Sequence, residues 1–302
     1  MTLPDSTLIA IDWGSTHFRA KLIVDGLVVA SASSPDGIRH LVGRSCAEVL
    51  AVHCSSWNHT HPGIPVLISG MVGAREGWCE APYVTAPCSL DDLAAAVVRV
   101  QDSVFGEVTI IPGVRSDSPD IPTTDVMRGE ETQIAGLLSS LPSSASVVCL
   151  PGTHSKWVSV REERIEDFRT WLTGEAYDRL TRESLISGDG TPADPAGAAF
   201  RLGVEQSALP GGCLHHLFLG RTHWLAGRIA PSEVRSFVSG ILLGHELREA
   251  AAFAAGCPVY LVGDSPASEA TAAGLSILAI PFTRSTGDLH LAGLLAIASR
   301  LS

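Results

Sequence analysis

Three times along its length this chain runs a short apolar strand into a turn of glycine and hydroxyl residues, and that repetition narrows the folds open to it. The first instance is Leu8-Ile-Ala-Ile-Asp12-Trp-Gly14-Ser15-Thr16. Leu8 to Ile11 reads as a buried strand, Asp12 falls where the strand ends, and Gly14 lets the backbone turn its N–H groups toward an anion. The second is Val147-Val-Cys-Leu150 followed by Pro151-Gly152-Thr153-His154-Ser155-Lys156-Trp157. The third is Pro258 to Val262 followed by Gly263-Asp264-Ser265, ahead of a helix over Pro266 to Gly274. Strand-end loops of this kind are where α/β proteins hold nucleotides. Ser15, Thr16, Thr153 and Ser155 offer hydroxyls, Lys156 a cation, and His154 a hydrogen-bonding ring. A carboxylate placed like Asp12 is suited to holding a metal ion through water.

The order of these segments, with the acid-rich Asp125-Val-Met-Arg128-Gly129-Glu130-Glu131-Thr132-Gln133 between the first two loops, resembles the actin-like ATPase and sugar-kinase superfamily. Several strings narrow the resemblance. Asp12-Trp-Gly-Ser-Thr16, Ser69 to Trp78 with Glu80-Ala-Pro-Tyr83, Met127 to Gln133, Gly152 to Trp157, Phe168 to Glu175 and Leu261 to Asp264 are similar to the 2-dehydro-3-deoxygalactonokinase family. The resemblance implies a duplicated actin-like (ribonuclease H-like) α/β fold, with the nucleotide in the cleft between two domains. It also implies ATP- and Mg²⁺-dependent phosphorylation of 2-dehydro-3-deoxy-D-galactonate on its terminal hydroxyl, giving the 6-phosphate. Gly14, Ser15 and Thr16 would then form the first phosphate loop, Gly152 to Lys156 the second, and Gly263 with Asp264 the adenosine-side loop.

Phosphoryl transfer needs the attacking hydroxyl aligned and its proton accepted. In related glycerol- and xylulose-kinase sequences the base is the aspartate of a Gly-Asp-Gln-Gln string that opens a helix. Gly129-Glu130-Glu131-Thr-Gln133 is similar in placement, which makes Glu130 the first choice, with Asp125 and Glu131 as competitors. A polyhydroxy acid also needs a cation for its carboxylate and acceptors for its hydroxyls. Arg75, Glu76, Trp78, Glu80 and Tyr83, with Arg19 and Arg128, are the candidate substrate contacts. Trp157 and Trp171 read as core. His59, His61, His215 and His216 read as surface or helix residues rather than metal ligands, and no zinc-ligand spacing surrounds His154.

A length of 302 residues allows two domains, expected over 1–115 and 116–302 with Pro112 to Thr124 as the joint. A net charge of −11 excludes nucleic acid as a natural partner. No apolar run reaches membrane-spanning length and no secretory leader is evident. Seven cysteines without a C-x-x-C pair favour a reducing cytoplasm. The expected partners are a sugar acid and ATP, with a homodimer left open. Helices are expected over Ile38–Cys54, from Ser89 through Val100, over Ile134–Leu141 and over Pro231–Ala254. The second half should hold a meander over 147–150, 156–160 and 164–169, and closing strands at Val259–Val262 and Ile277–Ile280. Two other readings stay open: a kinase for a different small sugar or sugar acid, and an actin-like module that binds ATP without transferring phosphate.

Overall fold

The structure is a computed structural model and describes residues 7–118 and 123–301. The chain opens with β1 (Leu8–Trp13), β2 (Phe18–Val24) and β3 (Leu27–Ser34), then α1 (Cys46–Thr60), β4 (Val66–Gly70), β5 (Tyr83–Thr85) and α2 (Leu90–Ala95). Next come β6 (Val98–Asp102), β7 (Gly106–Ile110), β8 (Gly113–Ser118), β9 (Thr123–Met127) and α3 (Glu130–Ala135). The remainder is β10 (Ser146–Leu150), β11 (Ser155–Arg161), β12 (Arg164–Trp171), α4 (Thr173–Arg182), α5 (Ala198–Gln206) and α6 (Gly212–Leu225). The chain closes with α7 (Val234–Ala254), β13 (Val259–Val262), α8 (Pro266–Ile277), β14 (Phe282–Ser285) and α9 (Leu289–Ala298).

Two compact units emerge: residues 1–143 with 161–167 and 288–302, and residues 144–160 with 168–287. The expected boundary at 115/116 therefore falls inside the first unit. The segment expected to be the joint forms β8 and the start of β9, apart from residues 119–122, which lie outside the described residues.

The first unit carries a sheet ordered β3-β2-β1-β4-β7-β6, the second one ordered β12-β11-β10-β13-β14. In both, a central strand pairs antiparallel with its successor and parallel with a later strand: β1 with β2 and β4, β10 with β11 and β13. The two sheets thus repeat one topology, as the sequence order suggested. Asp25 and Gly26 both take positive φ, the geometry that lets a two-residue turn match strand twist. A small β5-β8-β9 sheet completes the first unit.

Trp13 and Phe18, edge to face at 4.8 Å, sit at the heart of the first core with Ile9, Ile11 and Ile68. Each such buried side chain contributes about 1.5–3 kcal/mol relative to exposure. The C-terminal α9 belongs to the first unit and packs on α3 with no side chain between the backbones. A Cβ on Gly293 would stand 1.7 Å from the Thr132 carbonyl oxygen, so glycine is required there. In the second unit Trp157, Leu247, Leu261 and Leu275 anchor the core, and Trp171 packs against its edge. No helix among the described residues is long and apolar enough to cross a membrane. All seven cysteines are free, and burial pushes the thiols of Cys54 and Cys88 up to about 12.

Several element bounds differ from expectation for identifiable reasons. Ile38–His40 makes a single 3₁₀ turn, and α1 starts at Cys46 because Ser45 and Glu48 form a reciprocal capping box. It then continues to Thr60. The helix capped by Ser89 stops at Ala95, and the alternating Val98-Arg-Val100 becomes an edge strand. The acid segment starts its helix at Glu130 and leaves it at Ala135. Ile277–Ile280 is not a strand, because Ile277 ends α8 and the last strand follows at Phe282. Helix α6 was not anticipated. It carries His215 and His216 as helix residues and buries His216, whose ring stacks on His245 at 5.1 Å.

Candidate active site

The first loop ends β1 in an ionic cluster. Register places Asp12 beside Arg19 of β2 on one side and Ser69 of β4 on the other. Arg19 donates to Asp12 Oδ2 at 3.2 Å, which occupies one of the candidate substrate arginines. Nε2 of His290, at the start of α9, lies 3.9 Å from Asp12 Oδ1 and shares a 2.6 Å hydrogen bond with the Ser69 hydroxyl. Burial pushes the His290 pKa down and outweighs the pull of Asp12, which favours the neutral imidazole. Lys21 pairs with Asp288 on the same rim. The loop itself is tied down: Gly14 N–H donates to His17, and the Gly14 and Ser15 carbonyls accept from Ile38 and Arg39. Thr16 is exposed and bonds the neighbouring His17 ring. The Asp12 side chain keeps 32% of its surface exposed, at a small pocket of about 70 Å³.

The acid segment separates its three carboxylates. Asp125 lies within β9 opposite Ser116 and accepts the Val126 N–H, away from the start of α3. Glu131 is fully buried and accepts from the Gly129 N–H at 2.6 Å and the Thr132 hydroxyl at 3.0 Å. Burial, aided by the adjacent Glu130 charge, pushes its pKa up to about 8, so it is a protonated acid without access to a substrate at neutral pH. Glu130 is half-buried and accepts the Arg128 N–H at 3.1 Å.

The loop after β4 splits its candidates. The Arg128 guanidinium lies 4.3 Å over the Tyr83 ring and donates to the Ala81 carbonyl at 2.8 Å. Its Nε and other terminal nitrogen are buried without a hydrogen-bond partner among the described residues. Arg75, Glu76 and Glu80 are exposed, whereas Trp78 packs against the first core.

In the second unit, the second loop forms one wall of a cavity of about 760 Å³. Gly152, Thr153 and Ser155 line it, together with Thr173 and Gly174 at the start of α4. The contact is close: a Cβ on Gly174 would fall 2.2 Å from the Gly152 carbonyl oxygen, and Glu175 N–H donates to Thr153 at 2.9 Å. The rest of the loop points elsewhere. His154 is exposed and pairs with Glu175 at 2.7 Å. Lys156 is buried, donates to the Thr170 hydroxyl at 2.7 Å, and is absent from the cavity lining, because alternation along β11 puts it on the face opposite Ser155. Gly263, at φ +85°, and Asp264 deliver the chain to Ser265, which caps α8 and lines the cavity.

The far side of the cavity is largely apolar, with Tyr177, Pro192, Ala193, Leu242, Leu243 and Ala270. From α7, Ser239, Leu242, Leu243 and Glu246 face it at helical spacing. Glu246 is 1% exposed. One of its oxygens accepts from the Ser155 hydroxyl at 2.6 Å and the Trp157 indole at 2.8 Å, and the other from the Thr173 hydroxyl. Burial raises its pKa against those three donors. Sequence reasoning missed Thr173, Tyr177 and Glu246 here, and Ser69 and His290 in the first unit. The available signal for Glu246 was a lone acid in the largely apolar run from Phe237 to Leu247, beside His245.

The repeated sheet topology, with a glycine loop after each first strand, defines the actin-like ATPase and sugar-kinase fold. A solved structure provisionally named an N-acetylglucosamine kinase, from Porphyromonas gingivalis, shares that fold alone, with a TM-score of 0.51 at 15% identity over 96% of this chain and 98% of the other. The family described as 2-keto-3-deoxy-galactonokinase matches residues 12–297, and this chain belongs to it. The 2-dehydro-3-deoxygalactonokinase of Escherichia coli strain K12 is 38% identical over 239 residues, 79% of this chain and 78% of the relative. A crystal structure from Sinorhizobium meliloti, provisionally named a 2-dehydro-3-deoxygalactonokinase, superposes with a TM-score of 0.89 at 32% identity, covering 96% of this chain and 98% of that one.

Proposed function

We propose that this protein transfers the γ-phosphoryl group of ATP to the terminal hydroxyl of 2-dehydro-3-deoxy-D-galactonate, releasing ADP and the 6-phosphate. The observation that carries the reading is the cavity of about 760 Å³ in the second unit, built from a glycine loop, a helix start and an apolar wall, in a chain of this family. That volume is within the usual range for sites that take small molecules and nucleotides. The apolar wall suits a base, and the backbone around Gly152, Thr153 and Gly174 suits phosphate oxygens. Because the Ser155 hydroxyl donates its hydrogen bond to Glu246, the phosphate contacts at this loop are left to backbone N–H groups and the Thr153 hydroxyl.

In the first unit Asp12 fits a role in holding Mg²⁺ through water. Its carboxylate is partly exposed, and no cage of three or more His, Cys, Asp or Glu side chains occurs among the described residues. Such an ion takes most of its ligands from water and phosphate. When bound, it neutralises charge on the phosphates. Glu130 would accept the proton of the attacking hydroxyl, since Glu131 is sealed in the interior. Arg128, with two unpaired buried nitrogens beside Tyr83, is better supplied for a carboxylate than Arg19, which is committed to Asp12. Exposed Arg75 stays a second candidate. Seven free thiols suit a cytoplasmic setting, where ATP is available.

The test is ADP release, coupled to a reporter, across a panel of 2-keto-3-deoxy sugar acids and neutral sugars. Turnover confined to the sugar acids is expected. Equal activity on glucose or glycerol would sink the substrate assignment while leaving the fold intact.

A further inference from the structure

The second unit buries a carboxylate that the phosphoryl-transfer scheme does not use. Glu246 sits on α7, and its two oxygens hold different parts of the chain. Oε1 takes the Ser155 hydroxyl and the Trp157 indole N–H, both from β11, while Oε2 takes the Thr173 hydroxyl at the first residue of α4. Those parts meet again one layer out, where Gly174 abuts the Gly152 carbonyl and Glu175 N–H donates to Thr153. One side chain, which itself reaches the cavity wall, therefore bridges the strand that leaves the glycine loop and the first turn of α4. That first turn carries amides with no partner inside the helix, and Thr173 and Gly174 line the cavity.

We infer that Glu246 is a positioning residue for nucleotide phosphate: by bridging Ser155 and Thr173 it holds the Gly152–Thr153 backbone and the first turn of α4 at the separation a polyphosphate needs. The inference rests on the reading of this cavity as the nucleotide site. A carboxylate suits the task because it is an acceptor only. Three converging donors can be satisfied by two carboxylate oxygens, whereas an amide presents a donor of its own to one hydroxyl and turns it around. Removal of a nearby negative charge by itself favours an anionic ligand, so the sign of the effect separates positioning from simple electrostatics.

The experiment is calorimetric titration of MgADP into the wild-type protein and into Glu246→Gln, Thr173→Val and the double variant, with steady-state kinetics on the sugar acid. Loss of one charge-assisted hydrogen bond predicts Kd for ADP weakened about tenfold in each single variant. Because both act through one bridge, the double variant should be weakened no more than about twofold beyond either single variant. KM for ATP should rise in step, with kcat at saturating ATP and KM for the sugar acid nearly unchanged. A residue that merely supported the fold would lower the melting temperature without that split. If Glu246→Gln does not fold, Thr173→Val alone carries the test, since it removes one donor and no charge. ADP affinity that is unchanged or tighter in the folded variants overturns the inference while leaving the nucleotide reading in place. Failure of the wild-type protein to bind ADP would instead overturn that reading, and the inference with it.

Discussion

The two glycine loops begin from the same local design and end in different chemistry. Each follows the central strand of a sheet with the same pairing pattern, and each turns at a glycine. Two residues before that glycine the first loop has Asp12 and the second has Leu150. That difference in polarity goes with what collects around each turn. Asp12 gathers Arg19, His290 and the Lys21–Asp288 pair into a charged rim with a pocket of about 70 Å³. The second loop has no strand-end acid and opens on about 760 Å³ with an apolar far wall. Under the proposed function, one turn would serve an ion and the other the body of a nucleotide. Duplication supplies the backbone, and side chains divide the work.

The comparison is broken most severely at Asp12. Asp12→Asn keeps the shape and removes the charge, so turnover should fall by orders of magnitude while the melting temperature stays close to that of the wild type. Near-normal activity at saturating Mg²⁺ would reduce Asp12 to an ordinary turn residue and erase the distinction between the loops.

The acid segment sharpens the account at the next level. A positioned general base contributes about 10²- to 10⁴-fold, so Glu130→Gln should lower kcat by that order with ADP affinity unaltered. Because positioning dominates phosphoryl transfer, the loss should fall toward the lower end. Asp125→Asn serves as the control, and abolished activity there with Glu130→Gln intact would move the base to Asp125.

The smallest effect is expected at Lys156, the residue that looked most like a phosphate ligand in the sequence. Its ammonium is buried against the Thr170 hydroxyl and absent from the cavity lining. Lys156→Met should therefore leave Kd for ADP within about threefold, an energy below that of one charge-assisted hydrogen bond. A hundredfold loss of affinity would show that the side chain reaches the nucleotide after all.

These contrasts mark where the sequence could be read and where it could not. Strand-end glycines, the Asp25-Gly26 hairpin and the long α7 were legible because each depends on neighbours a few residues away. The loop membership of Gly152 and Thr153 was legible for the same reason. The fate of Lys156 was hidden, since a run such as Thr-His-Ser-Lys does not say where strand alternation begins. Glu246 lies 91 residues from Ser155, and His290 lies 221 from Ser69, so those partners exist only after the sheets form. The capping box at Ser45 and Glu48 was local and readable, yet the helix was expected to begin seven residues before Ser45, at Ile38. Glu131 and Glu130 are adjacent and chemically alike, and only packing makes one interior and the other accessible.

The central claim is that this chain places the phosphoryl group of ATP on a sugar-acid hydroxyl. It is tested most directly by following ³¹P resonances while purified protein, ATP and Mg²⁺ react with 2-dehydro-3-deoxy-D-galactonate. The account predicts that ATP converts to ADP with a matching phosphomonoester signal coupled to the protons of the terminal CH₂ group. ADP accumulating with inorganic phosphate and no ester, or an ester forming equally on glycerol, would contradict it.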